Sequence, residues 1–177
     1  MEFYTERLHL RKWNEIDAVS LYQCASDPDV GPSCGWCCHK SIHESKAVIA
    51  NVLTGDECYA VCDKVSDTPI GCIDLKKETP LTHSRAEREI GFWLGKPFWG
   101  QGYMKEAVEV LIAHAFDDLG LTTIWCGHFD DNFRSARVQQ KLGFEGWGVI
   151  DEFPVPLLGK TCRLIVNRMT REMYERK

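Results

Sequence analysis

A strand, a turn with two glycines and a long helix with one apolar stripe follow one another between residues 88 and 119. No other run constrains the fold as tightly. "REIGFWLG" (88–95) reads as a strand, and "KPFWGQGYMKEA" (96–107) carries Gly100 and Gly102 at or just before a helix start. From Gly102 to about Leu119, Met104, Ala107, Val108, Leu111, Ile112 and Ala115 recur at helical spacing and predict one buried face. The first turn of such a helix leaves N–H groups unpaired at the positive end of its dipole. Glycine lets that backbone approach an anion with no Cβ in the way. The stretch is a candidate pyrophosphate seat, and on Gly-x-Gly alone a glycine turn with no ligand reads equally well. A phosphate-binding P-loop would need Gly-Lys-Ser/Thr where Met104-Lys105-Glu106 stands. A dinucleotide fingerprint would need a third glycine and would follow the first strand, not the fourth.

The remaining pattern places this unit in an α/β domain. "LHLRKW" (8–13) alternates as a strand, and Asn14 offers an N-cap, with Asp17 in the first turn, for a helix to about Ala25. "DPDVGPSCGWCCHK" (27–40) reads as loop, and Ser41 with Glu44 as a capping box for a helix to about Leu53. Strands are expected at 57–64, 69–77 and 122–129, then a helix over 132–144 ended by Gly143, then strands near 147–153 and 161–169. The order β-α-α-β-β-β-α-β-α-β-β makes a mixed sheet of about seven strands with about four helices. With no linker, repeat or low-complexity tract, residues 1–177 form one domain.

A net charge of −5 disfavours nucleic acid as the main partner and suits a cationic substrate such as an amine. Neither a basic-then-apolar leader nor a span-length apolar run is visible, so the expectation is a cytoplasmic protein without membrane attachment. Its nine cysteines are then expected as mostly reduced thiols.

Downstream, "DNFRSARVQQKLGF" (131–144) sets Asn132 and Ser135 one turn apart at a helix start, where Asn132 alone reads as an N-cap. Taken together, "EIGFWLG", "FWGQGYMKEA" and "NFRSARVQQKLGF" resemble motifs A and B of the GNAT superfamily of acyl-CoA-dependent N-acyltransferases. The likeness is greater to the branch with the ribosomal-protein N-terminal (alanine/serine) acetyltransferases. It runs from "TERLHLRKW" to "CRLIVNRMTREMYE", nearly the whole chain.

The resemblance implies a GNAT-like, mostly antiparallel sheet and acetyl-CoA as acyl donor, with no metal. Backbone groups of Phe92, Trp93 and Leu94 would pair with the pantetheine arm. Amides of Gly100, Gln101, Gly102, Tyr103 and Met104 would hold the pyrophosphate. Asn132 would bond the pantetheine or thioester region, and Ser135 would approach the sulfur. A neutral amine would attack the thioester, an oxyanion would form near a strand N–H, and CoA thiolate would leave.

Two departures stand out. Pro97 replaces an Arg or Gln that often precedes the first glycine by three residues, and Gln139 stands where many relatives carry a tyrosine acid. Ser135 thereby becomes the candidate to protonate or stabilise the leaving thiolate.

Neutralising a lysine-like amine of pKa about 10.4 at pH 7 costs roughly 4–5 kcal/mol, against about 1 kcal/mol for an α-amine near pKa 8. Glu89, three residues before Phe92, matches a glutamate that serves as base in some relatives. It reads equally as a solvated carboxylate in the run Glu87-Arg88-Glu89.

The cysteine-rich stretch "SCGWCCHKS" (33–41) raises other chemistry. Zinc needs about four ligands, and no second Cys-x-x-Cys accompanies Cys34 and Cys37. Haem attachment fails because Cys38 precedes His39, and a redox pair would open a helix after a core strand. By resemblance this loop lines the acceptor pocket, with Trp36 as a flat or cation–π wall and His39 as an orienting group. Core packing of Trp36 and helix capping by His39 remain the alternative.

The expected function is therefore acetyl transfer to a primary amine. The acceptor is a protein N-terminal α-amine or, alternatively, a small amine such as a polyamine, an aminoglycoside or an amino-acid derivative. A non-catalytic acyl-CoA sensor is a third reading. The resemblance also allows a homodimer.

Overall fold

A computed structural model describes residues 1–176. At its centre is one eight-stranded sheet in the order β1-β2-β3-β4-β5-β6-β8-β7. The strands are β1 Phe3–Tyr4, β2 Leu8–Arg11, β3 Cys58–Asp63, β4 Pro69–Lys76, β5 Glu87–Leu94, β6 Thr123–Phe129, β7 Glu145–Val155 and β8 Lys160–Thr170. The helices are α1 Ala18–Ala25, α2 Ile42–Asn51, α3 Tyr103–Ala113, α4 Phe133–Lys141 and α5 Arg171–Glu175. All neighbouring strands run antiparallel except β5 and β6, which α3 joins by a crossover. The mixed, mostly antiparallel sheet is the one expected. Its additional strand, β1, has two residues, too few for alternation to show. The additional helix, α5, is a single short turn whose cap is Thr170, its hydroxyl accepting from the Met173 N–H at 3.3 Å. Among the described residues no helix is long and apolar enough to cross a membrane.

The apolar stripe of α3 does what its spacing predicts. Met104, Ala107, Val108, Leu111, Ile112 and Ala115 are each at most 5% exposed and pack with Ile73, Leu75, Ile90 and Ile124 of the sheet. The α-helix itself stops at Ala113 and continues as a π-helical turn, His114–Asp118. That widening seats buried His114 between Asp118 Oδ2 at 2.7 Å and Glu57 Oε2 at 3.1 Å, a cross-link that hydrophobic periodicity does not encode. A second cluster unites Ala18, Leu21, Ala25 and Ile49 of α1 and α2 with Trp13, Trp36 and Trp93.

Local polar groups set how α1 and α2 begin. A 3-10 turn, Glu15–Asp17, precedes α1, so Asn14 caps that turn and not the α-helix. The Asp17 carboxylate accepts the Asn14 N–H at 2.8 Å and receives the Arg11 guanidinium at two points, 2.8 and 2.9 Å. At α2, the Ser41 hydroxyl accepts from the Glu44 N–H at 3.1 Å as expected. Glu44 reaches back to the Lys40 N–H, one residue earlier than a capping box requires.

The feature that creates a site is a strand separation. β5 pairs with β4 from Glu89 to Leu94, whereas with β6 it pairs only over Glu87–Glu89 opposite Thr123–Trp125. Beyond Glu89, β5 has no strand partner on that side among the described residues.

Because the Asp17 and Arg11 side chains are only 5% and 14% exposed, cutting the pair strands a charge away from water. Asp17→Ala is expected to lower the unfolding free energy by about 3 kcal/mol in urea titration. An unchanged midpoint would show the pair to be dispensable.

Candidate active site

Two cavities open from the gap between β5 and β6, and they share Ser33, Cys34, Phe92, Trp93, Asn132 and Ser135. One, of about 350 Å³, follows Phe92, Trp93 and Leu94 to the glycine turn and α4. The other, of about 480 Å³, lies over the outer halves of β4 and β5. Together they form one cleft with two chemically different ends.

At the first end, Gly100 and Gly102 both take left-handed backbone conformations, with φ of +76° and +85°, where a side chain would be strained. The first helical hydrogen bond of α3 runs from the Glu106 N–H to the Gly102 carbonyl. The amides of Tyr103, Met104 and Lys105 therefore lie ahead of it, as an anion seat requires. Arg7 fixes this turn. Its Nε donates to Glu106 Oε2 at 2.8 Å, its Nη1 to the Gln101 carbonyl at 3.0 Å, and its guanidinium lies 4.4 Å from the Tyr103 ring centroid. Gly100, Gly102, Tyr103 and Met104 line the cavity. Gln101 is not among the lining residues, and its side chain donates to the Pro97 carbonyl at 2.9 Å.

Four cations that the sequence reading did not single out face the same cavity: Lys105, Arg134, Arg137 and Lys141. The last three recur at i, i+3 and i+7 on α4, a spacing that places them on one helix face. Arg134 sits 3.9 Å above the Trp99 ring, and the Trp99 indole donates to the Leu94 carbonyl at 2.8 Å. The glycine turn, the end of β5 and the cationic face of α4 are thus held together.

The middle of the cleft is built on the start of α4. Asn132 Oδ1 accepts the Ser135 N–H at 3.1 Å, the cap its sequence position suggested, and its Nδ2 donates to the Ser33 carbonyl at 3.0 Å. Ser135 Oγ accepts from Gln139 Nε2 at 3.0 Å, and Gln139 Oε1 accepts from Asn167 Nδ2 at 2.7 Å.

The far end is acidic. Glu89 lines it, register-paired with Lys76, while Asp74 stands opposite Gly91. A Cβ at Gly91 would meet Asp74 Oδ1 at 2.5 Å, so the carboxylate lies directly over bare backbone. Burial pushes the Asp74 carboxyl up to about 6, with Lys76 pulling down and Glu89 pushing further up. The Lys76 ammonium, 3.9 Å from Asp74, is itself raised by that carboxylate. Alternation along "PIGCIDLKK" puts Asp74 on one face with Cys72 and Lys76, but its partnership with Gly91 depends on sheet register. Glu87 is committed elsewhere: it accepts from the Trp125 indole at 2.8 Å and the His83 N–H at 3.0 Å.

The loop over 27–40 divides its residues between wall and support. Trp36 lines the acidic cavity, 5.8 Å from the Trp93 ring and 5.4 Å from that of His39. His39 lines neither cavity; its Nδ1 lies 2.8 Å from the buried Ser45 Oγ, and burial lowers its pKa. Cys34 faces the junction, whereas Cys37 and Cys38 donate to the carbonyls of Leu157 and Asp27. Among the described residues no three His, Cys, Asp or Glu side chains converge on a metal position.

Because the folded state raises the Asp74 pKa from the ordinary 3.8 to about 6, it favours the protonated acid. Stability from this group is present below about pH 4 and is lost as pH climbs to about 6. Asp74→Asn is therefore expected to stabilise the fold by about 2 kcal/mol at pH 8 and by little at pH 4. Urea unfolding at both pH values checks this, and an equal effect at both would contradict it.

Comparison with known proteins places the whole architecture. Residues 7–145 match the acetyltransferase (GNAT) domain family. The chain is 29% identical over 155 residues to the "Uncharacterized N-acetyltransferase p20" of Bacillus licheniformis, covering 85% of each protein. It is 29% identical over 146 residues to the "Ribosomal-protein-serine acetyltransferase" of Escherichia coli, covering 79% of this chain and 80% of that one. The crystal structure of a GNAT-family acetyltransferase from Bacillus anthracis aligns over 97% of this chain and 99% of its own, with a TM-score of 0.85 at 20% identity. That of a ribosomal-protein-S5-alanine acetyltransferase from Vibrio fischeri covers 97% of both chains with a TM-score of 0.75 at 20% identity. The domain match, which takes in the split at β5, the glycine turn and the start of α4, shows the family: the chain is a member of the GNAT N-acetyltransferase family.

Proposed function

We propose that the protein transfers an acetyl group from acetyl-CoA to a primary amine by direct attack on the thioester. The observation that carries this is the single cleft, cationic at one end and acidic at the other, with Ser135 at their junction. The donor enters at the cationic end, where amides ahead of the first helical bond and the side chains of Lys105, Arg134, Arg137 and Lys141 receive its phosphates. Its pantetheine lies along Phe92, Trp93 and Leu94 and uses the strand edge left free by β6.

The amine enters at the acidic end. Asp74 in its ionised form draws the ammonium in, and Glu89 takes its proton, directly or through a water. The neutral nitrogen then adds to the thioester carbon and passes its excess proton to water, and collapse of the intermediate expels CoA thiolate beside Ser135. The first acceptor is a protein N-terminal α-amine, supported by the similarity to the E. coli ribosomal-protein enzyme. The wall of Trp36 against Trp93 beside two carboxylates favours a second acceptor class, a small organic cation. Measuring acetyl-CoA consumption against N-terminal peptides and an amine panel separates the two. Absence of calorimetric heat with both CoA and acetyl-CoA would refute the donor assignment.

In pH–rate profiles, activity is expected to rise through about pH 6 as Asp74 ionises. Asp74→Asn should remove that limb, and Glu89→Gln should lower the plateau by about tenfold or more. A Glu89→Gln enzyme with the wild-type profile and height removes Glu89 as the base. For the donor end, Arg137→Gln is expected to weaken CoA binding about tenfold at low salt, the difference narrowing as ionic strength rises. Titration calorimetry at two salt concentrations reads it, and an unchanged Kd would take Arg137 out of the phosphate site.

A further inference from the structure

We propose that Gln139 and Asn167 are positioning residues that aim the Ser135 hydroxyl proton at the departing thiolate. The inference rests on the acetyl-transfer reading above and concerns the direction of one hydrogen bond within it.

Three side chains from two elements form a chain in which both amides are oriented to donate toward Ser135. Asn167 on β8 donates its Nδ2 to Gln139 Oε1 at 2.7 Å, and Gln139 on α4 donates its Nε2 to Ser135 Oγ at 3.0 Å. An amide oxygen only accepts and an amide nitrogen only donates. Once Asn167 has claimed the Gln139 oxygen, Gln139 has only its NH₂ to offer Ser135. The hydroxyl accepts that bond and keeps its own proton for another partner. Asn132 already satisfies the Ser135 backbone N–H, so the hydroxyl is not drawn into capping the helix. Ser135 lines both halves of the cleft where they join.

Gln139 is 1% exposed, beside the apolar Leu142 and Phe144 of the core. An apolar side chain would fill that position without needing partners. A buried primary amide is kept only if its groups are bonded, and here both ends of the amide are used, one of them on Ser135.

The step it serves balances without further reagents. The N–C bond forms, the C–S bond breaks with its electron pair passing to sulfur, and the nitrogen gives up two protons, the first to Glu89 before attack and the second to water after it. The Ser135 hydroxyl donates a hydrogen bond to the new thiolate and retains its proton. Water protonates the thiolate after release.

Reversing the polarity while keeping the shape tests this. In Asn167→Asp the carboxylate can only accept, so Gln139 must turn its NH₂ to position 167 and its oxygen to Ser135, which then spends its proton on Gln139. Gln139→Glu leaves Asn167 donating and reverses the Ser135 bond alone, because a carboxylate accepts from both neighbours, and it is the second, independent test of the hydroxyl's direction.

Either change is expected to lower kcat by about tenfold or more with KM for acetyl-CoA unchanged, whereas the thermal midpoint falls in Gln139→Glu, whose carboxylate is buried. The defect should shrink toward wild-type ratios with an acetyl thioester of an acidic aryl thiol, whose thiolate leaves without help. In a Gln139→Leu background, Asn167→Asp should cost nothing extra, because its only route to Ser135 is gone.

A wild-type kcat in both reversal variants would overturn the proposal, as would a defect that persists in the Gln139→Leu background or is equal for both thioesters. These outcomes leave acetyl transfer itself standing. Lack of turnover by the wild-type enzyme across the amine panel would instead overturn the transfer reading, and this proposal with it.

Discussion

β5 follows β4 all the way to Leu94 but leaves β6 after three residue pairs. Everything chemical in the molecule depends on that choice. A fully paired sheet would have satisfied more backbone groups but left no passage through it. Parting the strands exposes one edge of β5 in the middle of an otherwise continuous sheet. The cost in lost pairing is borne locally, because α3 buries a continuous apolar face beneath the split and the tryptophan cluster packs above it.

The two ends of the passage take their character from opposite sources. At the cationic end, backbone geometry and α4 side chains supply positive charge, and Arg7, from far away in sequence, locks the turn onto Glu106. At the acidic end, β4 and β5 place two carboxylates and one ammonium on the same sheet face. Gly91 matters there for what it lacks, since any side chain would displace Asp74. Sheet register thus sets the electrostatics of one end, and helix periodicity sets those of the other.

How far these features could be read from residues alone follows the same division. Patterns internal to one element were legible: the α3 stripe, the glycine pair, the Asn132 cap and the Ser41 cap. Relationships between elements were not. Asp74 needed its pairing with Gly91, Gln139 needed Asn167 from β8, and the π-helical turn at His114 needed Glu57 from β3's leading edge. The α4 cations lie between these cases, for their spacing was visible but their target was not. His39 illustrates a limit of inference from a motif. It stands in the loop that forms the pocket wall, yet its ring turns to Ser45 inside the fold. Strand β1 escaped notice for a simpler reason, being shorter than one period of alternation.

Asn132 also acts as a latch. Its Nδ2 spans the cleft to the Ser33 carbonyl and ties the start of α4 to the loop that carries Cys34 and Trp36. Because that amide carries a second N–H, the start of α4 keeps a donor to offer the cleft without letting go of the loop.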